Sequence, residues 1–142
     1  KLKTNPTFSK LFSQMLIAVC LFTLSSEIWA QRLNNSALKS FEITIEMTDK
    51  GLKMHSSEGS AWIDLSFSLT ADKPQAIDEY GMTSVGQLRS EKDPKLADYL
   101  FTITINKDGI TLTGVEGTAW KVLNFTLSDN GKQTINQFGM TD

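Results

Sequence analysis

The sequence predicts an all-β protein made of two tandem antiparallel β-meander repeats that share one core, as a small sandwich or barrel, with a short connecting helix. The first observation is an internal repeat. Residues 58–83, EGSAWIDLSFSLTADKPQAIDEYGMT, return at 116–141 as EGTAWKVLNFTLSDNGKQTINQFGMT, with 12 of 26 paired positions identical. The second is a strand-like alternation of apolar and polar residues in both copies. The third is size, because a unit of about 42 residues buries too little surface to fold alone.

Residues 1–30 have the three parts of a signal peptide. Lys1, Lys3 and Lys10 precede an apolar run over 11–24, which is followed by polar residues, and cleavage is expected after Ala30. The apolar run is shorter than the roughly 20 residues that a membrane-spanning helix needs. The sequence therefore predicts an exported protein, in the periplasm, at the cell surface or secreted, with no membrane span.

Composition excludes several chemistries for the mature chain. The one cysteine, Cys20, lies inside the predicted signal peptide, so disulfides, thiol nucleophiles and cysteine-bound zinc are excluded after cleavage. Residues 31–142 carry 11 Lys and Arg against 15 Asp and Glu, a net charge of −4. Because no basic cluster stands out, a nucleic-acid partner is not expected.

The chain after the signal peptide divides into four segments: a leader at 31–40, repeat 1 at 41–84, a connector at 85–100 and repeat 2 at 101–142. Repeat 1 opens with FEITIEMT at 41–48, which alternates apolar and polar residues as a half-buried strand does. Asp49, Lys50 and Gly51 then predict a tight turn.

The longest predicted strand follows Glu58 and Gly59, and its counterpart follows Glu116 and Gly117. Leu65, Phe67 and Leu69 share one face, but Trp62 is out of phase with them, as Trp120 is in repeat 2. Either the tryptophans lie on the opposite surface, or a bulge near the Gly-Ala-Trp run turns them inward. We favour the bulge, because glycine suits bulges and tight turns.

Three further segments, 78–81, 106–109 and 136–139, have Asn or Asp first and Gly fourth. This spacing predicts hairpin turns in which the glycine adopts a positive φ. The competing interpretation for the first of them is one helical turn from Pro74 to Tyr80, which the equivalent residues Thr134, Ile135 and Asn136 disfavour. In the connector, Asp93 and Pro94 before Leu96, Ala97 and Leu100 predict the short helix. About eight strands in meander order are expected.

The phrase EGTAWKVLNFTL…QTINQFGMT of repeat 2 resembles sequences of small exported bacterial β-rich repeat proteins with no assigned activity, and the resemblance covers both units. The resemblance implies a bacterial envelope or secreted setting. It transfers no catalytic residue.

Catalytic candidates are few. His55 is the only histidine and lies in a polar stretch, and Glu58 with Glu116 is the only acid pair kept by both units. A solvated strand edge explains the histidine, and backbone capping at a turn explains the acids. No catalytic group is therefore assigned, and the chain is not expected to be an enzyme.

Metal and cofactor candidates are equally limited. Oxygen-bearing side chains occur in several predicted turns, namely Asp49, Asp72, Asp108, Asp129 and Asn130, but not at the spacing of a dedicated calcium loop. Asp and Asn favour turns for backbone reasons. No metal and no cofactor are predicted.

Aromatic residues recurring in register are the candidate ligand-binding set: Tyr80, Phe138, Trp62 and Trp120. Rings on a β scaffold suit stacking on sugars or anchoring a protein. The core is nevertheless the favoured place for the two tryptophans, whereas Tyr80 and Phe138 fall in turns, where burial is harder. The first hypothesis is an exported, non-catalytic binding module for a protein partner or a glycan. The alternatives are a small envelope enzyme or enzyme inhibitor, and a structural subunit that assembles through an edge strand.

Overall fold

The computed structural model describes residues 38–87 and 91–142. The predicted signal peptide, Cys20 and most of the leader lie outside these residues. The described part contains ten β-strands and no helix. They are β1 (Glu42–Thr48), β2 (Gly51–Glu58), β3 (Asp64–Phe67), β4 (Gln75–Asp78), β5 (Gly81–Thr83), β6 (Leu100–Asn106), β7 (Gly109–Glu116), β8 (Val122–Phe125), β9 (Lys132–Asn136) and β10 (Gly139–Thr141).

The strands form two five-stranded antiparallel sheets that pack as a sandwich. Sheet A has the order β10-β9-β1-β2-β3, and sheet B has the order β5-β4-β6-β7-β8. Each sheet therefore takes three strands from one repeat and two from the other. The two repeats exchange hairpins, since β9 pairs with β1 and β4 pairs with β6.

The predicted all-β class and shared core are confirmed, and the sandwich resolves the alternative of a barrel. One cluster of buried side chains draws on both repeats, including Ile43 and Met54 from repeat 1 and Phe101 and Leu112 from repeat 2. The alternation predicted for 41–48 places Ile43 and Ile45 at 0% exposure. Burial of such side chains is the main force that holds the two repeats together.

The expectation of eight strands in simple meander order is wrong. The chain changes sheets between β3 and β4, and again between β8 and β9. The strand predicted as the longest is only the four residues Asp64–Phe67. Segments of three or four residues are too short to show a periodic pattern, which is why the sequence merged or missed them.

All four predicted hairpin turns are present, and the helical turn over 74–80 is not. The turns join Thr48 to Gly51, Asp78 to Gly81, Asn106 to Gly109 and Asn136 to Gly139. Each closing glycine has a positive φ, between 124° and 142°. The Asn136 side chain accepts the backbone N–H groups of Phe138 and Gly139, which explains the preference for Asn or Asp at the first position.

The tryptophans turn inward, as predicted, but the bulges lie on the preceding strands and not in the segments that carry the tryptophans. The β1–β2 register skips Ser57, and the β6–β7 register skips Val115. The chain then bends through the Gly-Ala-Trp run before the next strand begins. Trp62 and Trp120 end in the core at 9% and 7% exposure.

The predicted connecting helix is wrong. Residues 91–99 instead contain a single turn, in which the Leu96 N–H donates to the Asp93 carbonyl. The next N–H group, that of Ala97, donates to the Gly59 carbonyl at 2.8 Å rather than continuing a helix. A tertiary hydrogen bond to repeat 1 therefore overrides the local preference of the Asp-Pro sequence.

Candidate binding surface

One end of the sandwich collects most of the repeated residues. Phe41 at the start of β1 and Tyr99 just before β6 stack with ring centroids 4.5 Å apart, which shows that these strands begin at the same end. The two Gly-Ala-Trp bends and the β4–β5 and β9–β10 hairpin tips lie there too, because the Ala61 N–H donates to the Glu79 carbonyl and the Ala119 N–H to the Gln137 carbonyl. We call this the hairpin end.

The two tryptophans tie the hairpin end together. The Trp62 indole N–H donates to the Asp78 carbonyl at 3.0 Å, and the Trp120 indole N–H donates to the Asn136 carbonyl at 2.9 Å. Both rings belong to the core cluster. Each tryptophan thus fastens its own repeat's hairpin, and the repetition of Trp in the sequence has a structural explanation.

The other two candidate aromatics differ from each other in exposure. Tyr80 is half-buried, and its hydroxyl oxygen accepts the backbone N–H of Asp93 in the connector at 2.9 Å. Phe138, at the same position of repeat 2, is 56% exposed. The structure therefore brings the four aromatics to one end of the molecule, but Phe138 alone among them presents a largely open ring.

The Phe138 ring is held on a fixed support. Its backbone N–H donates to the Asn136 side chain at 2.8 Å, and the neighbouring Gln137 is buried, with its side-chain oxygen accepting the Phe41 N–H at 3.1 Å. Met140, two residues further on, is 47% exposed. An apolar side chain presented by a hydrogen-bonded turn loses little conformational entropy on binding, which favours a contact role.

An acidic cleft lies beside the first hairpin, where the sequence pattern did not predict a site. A cavity of about 40 Å³ is lined in part by Asp78, Glu79, Lys92, Asp98 and Glu116. Lys92 forms ion pairs with Asp98 and, at 3.2 Å, with Glu116, and these carboxylates raise the pKa of its ammonium group. The only indication of this cleft in the sequence is that Glu79 occupies the position at which repeat 2 has Gln137.

Burial raises the pKa of the Glu79 carboxyl, and the charges of Asp78 and Asp98 raise it further. Glu79 is only 4% exposed. Tyr99 lines the same cavity, and burial likewise raises the pKa of its hydroxyl. That hydroxyl lies 2.7 Å from the Ser60 hydroxyl, which accepts a hydrogen bond from Ser56. The buried polar groups at this end are thus linked to one another.

His55 lies elsewhere, on the outer face of sheet A. Its Nδ1 atom is 3.1 Å from the Asp64 carboxylate, and both side chains are about half exposed. Thr44 pairs with His55 across the strands, but its hydroxyl lies 2.9 Å from that of Thr134. A histidine and a carboxylate are therefore adjacent, while the hydroxyl of the cross-strand Thr44 is engaged with another threonine.

Glu58 and Glu116 occupy different sheets, at the ends of β2 and β7, and both are exposed. Glu116 pairs with Lys92, whereas the register places Glu58 opposite Glu42 on β1. The two acids are therefore in unlike surroundings.

The acidic turns also have backbone explanations. Asp72 and Asn130 occupy equivalent positions and both have φ near 61°, a conformation that Asp and Asn tolerate better than most residues. Among residues 38–87 and 91–142, no group of three or more His, Cys, Asp or Glu side chains is arranged to hold a metal ion. The same residues contain no helix long and apolar enough to cross a membrane.

Comparison of the chain with models of known families, with curated proteins and with solved structures found no match. The class of protein is therefore defined by the fold and the surfaces described above: an all-β sandwich of two repeats that exchange hairpins.

Proposed function

We propose that this chain is an exported, non-catalytic binding module of a bacterial envelope or secreted setting, and that it engages a protein partner through the hairpin end. The observation that carries the proposal is the 56% exposure of Phe138 on a hydrogen-bonded turn. Large aromatic side chains anchor protein interfaces because they bury much apolar area at a small entropic cost. The signal-peptide pattern of residues 1–30 supports the exported setting.

In repeat 1 the residue equivalent to Phe138 is Tyr80, and its contacts suggest how a partner packs on Phe138. There, the connector crosses the hairpin tip, with the Asp93 N–H bound to the Tyr80 hydroxyl and the Ala97 N–H bound to the Gly59 carbonyl. Phe138 has no hydroxyl, and no described residue forms an equivalent hydrogen bond to its ring. We infer that a partner's extended segment packs on Phe138 much as the connector packs on Tyr80, with apolar contacts replacing the hydroxyl bond.

Binding is better supported than the two alternatives. The His55–Asp64 pair is exposed, so neither group is desolvated in the way that acid–base catalysis favours. Assembly through a sheet edge is less well supported, because the edge strands β3, β5, β8 and β10 are only three or four residues long and present few backbone groups for pairing.

The proposal is tested by site-specific photo-crosslinking in the producing organism. A photoreactive phenylalanine analogue at position 138 is expected to trap one protein, whereas the same analogue at Lys107, a 90% exposed residue of the β6–β7 turn at the opposite end of the sandwich, should not. The trapped protein is then purified and its affinity for the native chain measured. Phe138→Ser should weaken that affinity at least about tenfold, as for an interface anchor.

Lys107→Ser is the control, since Lys107 is 90% exposed and lies in the β6–β7 turn, away from the hairpin end. It should leave the affinity unchanged. Equal crosslinking from positions 107 and 138, or full affinity of the Phe138→Ser variant, would refute the proposal. Binding to a glycan that depends on Phe138, with no protein trapped, would replace the protein partner by a carbohydrate.

A further inference from the structure

The outer face of sheet A contains a hollow of about 370 Å³. Its lining side chains come from three adjacent strands: Thr44 and Glu46 from β1, Lys53 and His55 from β2, and Lys132 from β9. The volume lies within the range of roughly 300–1,000 Å³ that is usual for small-molecule sites. Five polar side chains therefore converge on a space that a small ligand would fill.

The registers fix how the lining groups are arranged. Glu46 lies between two lysines, because it pairs with Lys53 on one side and with Lys132 on the other. The Lys132 ammonium is 3.4 Å from the Glu46 carboxylate, and only 26% of the Glu46 side chain is exposed. Two cations thus flank one recessed carboxylate among the lining side chains. Asp64, which is not part of the lining, lies 3.8 Å from the Lys53 ammonium and 3.1 Å from the His55 Nδ1 atom.

The pseudo-symmetry of the molecule provides an internal comparison. Residues of repeat 1 match those of repeat 2 at an offset of 116 minus 58, that is 58 positions. At four of the five matching positions, sheet B has Thr102, Thr104, Thr111 and Thr113, and the fifth, Pro74, directly precedes β4. The β6–β7 pair therefore forms in the same register as β1–β2 with no charge at its four positions.

Stability does not explain the charged residues of sheet A. Exposed ion pairs contribute at most about 1 kcal/mol each, and threonine suits strands well. Sheet B shows that threonine is sufficient for the fold at four of these positions. Two lysines, a histidine and a carboxylate directed into one hollow are instead the donors and acceptors of a binding site.

We propose that this hollow binds an acidic sugar, with the sugar carboxylate between Lys53 and Lys132 and its hydroxyls bonded to Glu46, Thr44 and His55. The two ammonium groups supply charge-assisted hydrogen bonds to the carboxylate. The recessed Glu46 repels a bare anion but accepts hydrogen bonds from hydroxyl groups, which favours an anion that carries a polyol. This inference does not rest on the role of Phe138, which lies at the hairpin end.

Amide chemical-shift titration of the isotope-labelled mature chain tests the proposal with glucuronate as the probe. Saturable shifts are expected along β1, β2 and β9, and not along β6 and β7. Glucose, which lacks the carboxylate, and acetate, which lacks the hydroxyls, should each bind at least about tenfold more weakly. Lys53→Thr, which copies Thr111 of sheet B, and Lys132→Thr should each lower the glucuronate affinity about tenfold.

Lys107→Thr is the matched control, because it removes the same charge from a residue in the β6–β7 turn whose side chain is 90% exposed. It should leave the affinity unchanged, and the spectra of all three variants report whether each is folded. Acetate binding as tightly as glucuronate would overturn the acidic-sugar assignment. Linear shifts without saturation, equal shifts on both sheets, or equal losses in the Lys107→Thr variant would overturn the site itself.

Discussion

Glu79 and Gln137 hold the same position in the two repeats, yet only one of them is ionisable. Gln137 is neutral and accepts the Phe41 N–H through its side chain. Glu79 is equally buried, and its surroundings raise the pKa of its carboxyl. At the scale of single residues, repeat 2 therefore places a neutral amide at a buried position where repeat 1 has an ionisable carboxyl, and burial of the neutral group costs less free energy.

Glu79→Gln is expected to raise the free energy of unfolding at pH 7. A carboxyl whose pKa is raised in the folded state stabilises the protein when protonated, and that contribution is lost as the pH rises from its ordinary pKa, 4.5, through the raised value. The advantage of the variant should therefore shrink as the pH falls toward 4.5. Urea unfolding followed by circular dichroism at several pH values measures it.

Asp49→Asn serves as the control, because Asp49 is an exposed residue of the β1–β2 turn. Its effect on stability should be small at each pH. The prediction is contradicted if Glu79→Gln is neutral or destabilising at pH 7 and its free energy of unfolding does not rise relative to that of the native chain as the pH rises. Burial of the Glu79 carboxyl would then not destabilise the protein.

At the scale of elements, the segments before β1 and β6 prove to be equivalent. A side chain on Gly59 would collide with the Ser40 carbonyl and Phe41, and one on Gly117 would collide with the Asp98 carbonyl and Tyr99. Each glycine thus lets the incoming chain cross directly over the Gly-Ala-Trp bend. The identity of Gly59 and Gly117 in the two repeats follows from this close approach.

Gly117→Ala should be strongly destabilising, by about 1–3 kcal/mol more than Gly86→Ala. Both glycines have positive φ values, 70° and 91°, so both substitutions strain the backbone. A Cβ atom at Gly86 would meet no atom within 4 Å, whereas one at Gly117 would overlap backbone atoms. Thermal melting of the two variants compares them, and equal losses would show that no close approach exists.

Many of the strands and turns could be predicted from the sequence, because they have local sequence patterns. The β1 strand has a period of two, and three of the four Gly-closed turns have an Asx-x-x-Gly spacing, while the fourth has the sequence Asp49-Lys50-Gly51. These local signatures explain why the strand and the turns were predicted correctly. The connector was predicted wrongly because the Ala97 N–H is taken by Gly59, 38 positions earlier (97 minus 59). The acidic cleft and the sheet A hollow combine residues from different strands, and no local pattern contains them.

At the scale of the whole molecule, hairpin exchange makes each repeat depend on the other. The hairpin of β4 and β5 leaves repeat 1 and pairs with β6, while β1 pairs with β9 of repeat 2. Neither repeat alone contains a complete sheet. The core draws its buried side chains from both sheets, and a single unit is below the size that folds readily by itself.

A fragment of residues 38–87 should therefore be unfolded as a monomer. Because the repeats are alike, two copies can exchange hairpins with each other, and the fragment should gain β structure as its concentration rises. Sedimentation equilibrium and circular dichroism across a concentration series measure this. A monomeric fragment with full β structure would contradict the dependence of the repeats on each other.

The exchanged hairpins also have a consequence for substitutions. In a twofold homodimer of one such repeat, every substitution would alter both sheets at once. In this single polypeptide each copy has its own codons, so a side chain can change on one sheet while its twin keeps the original.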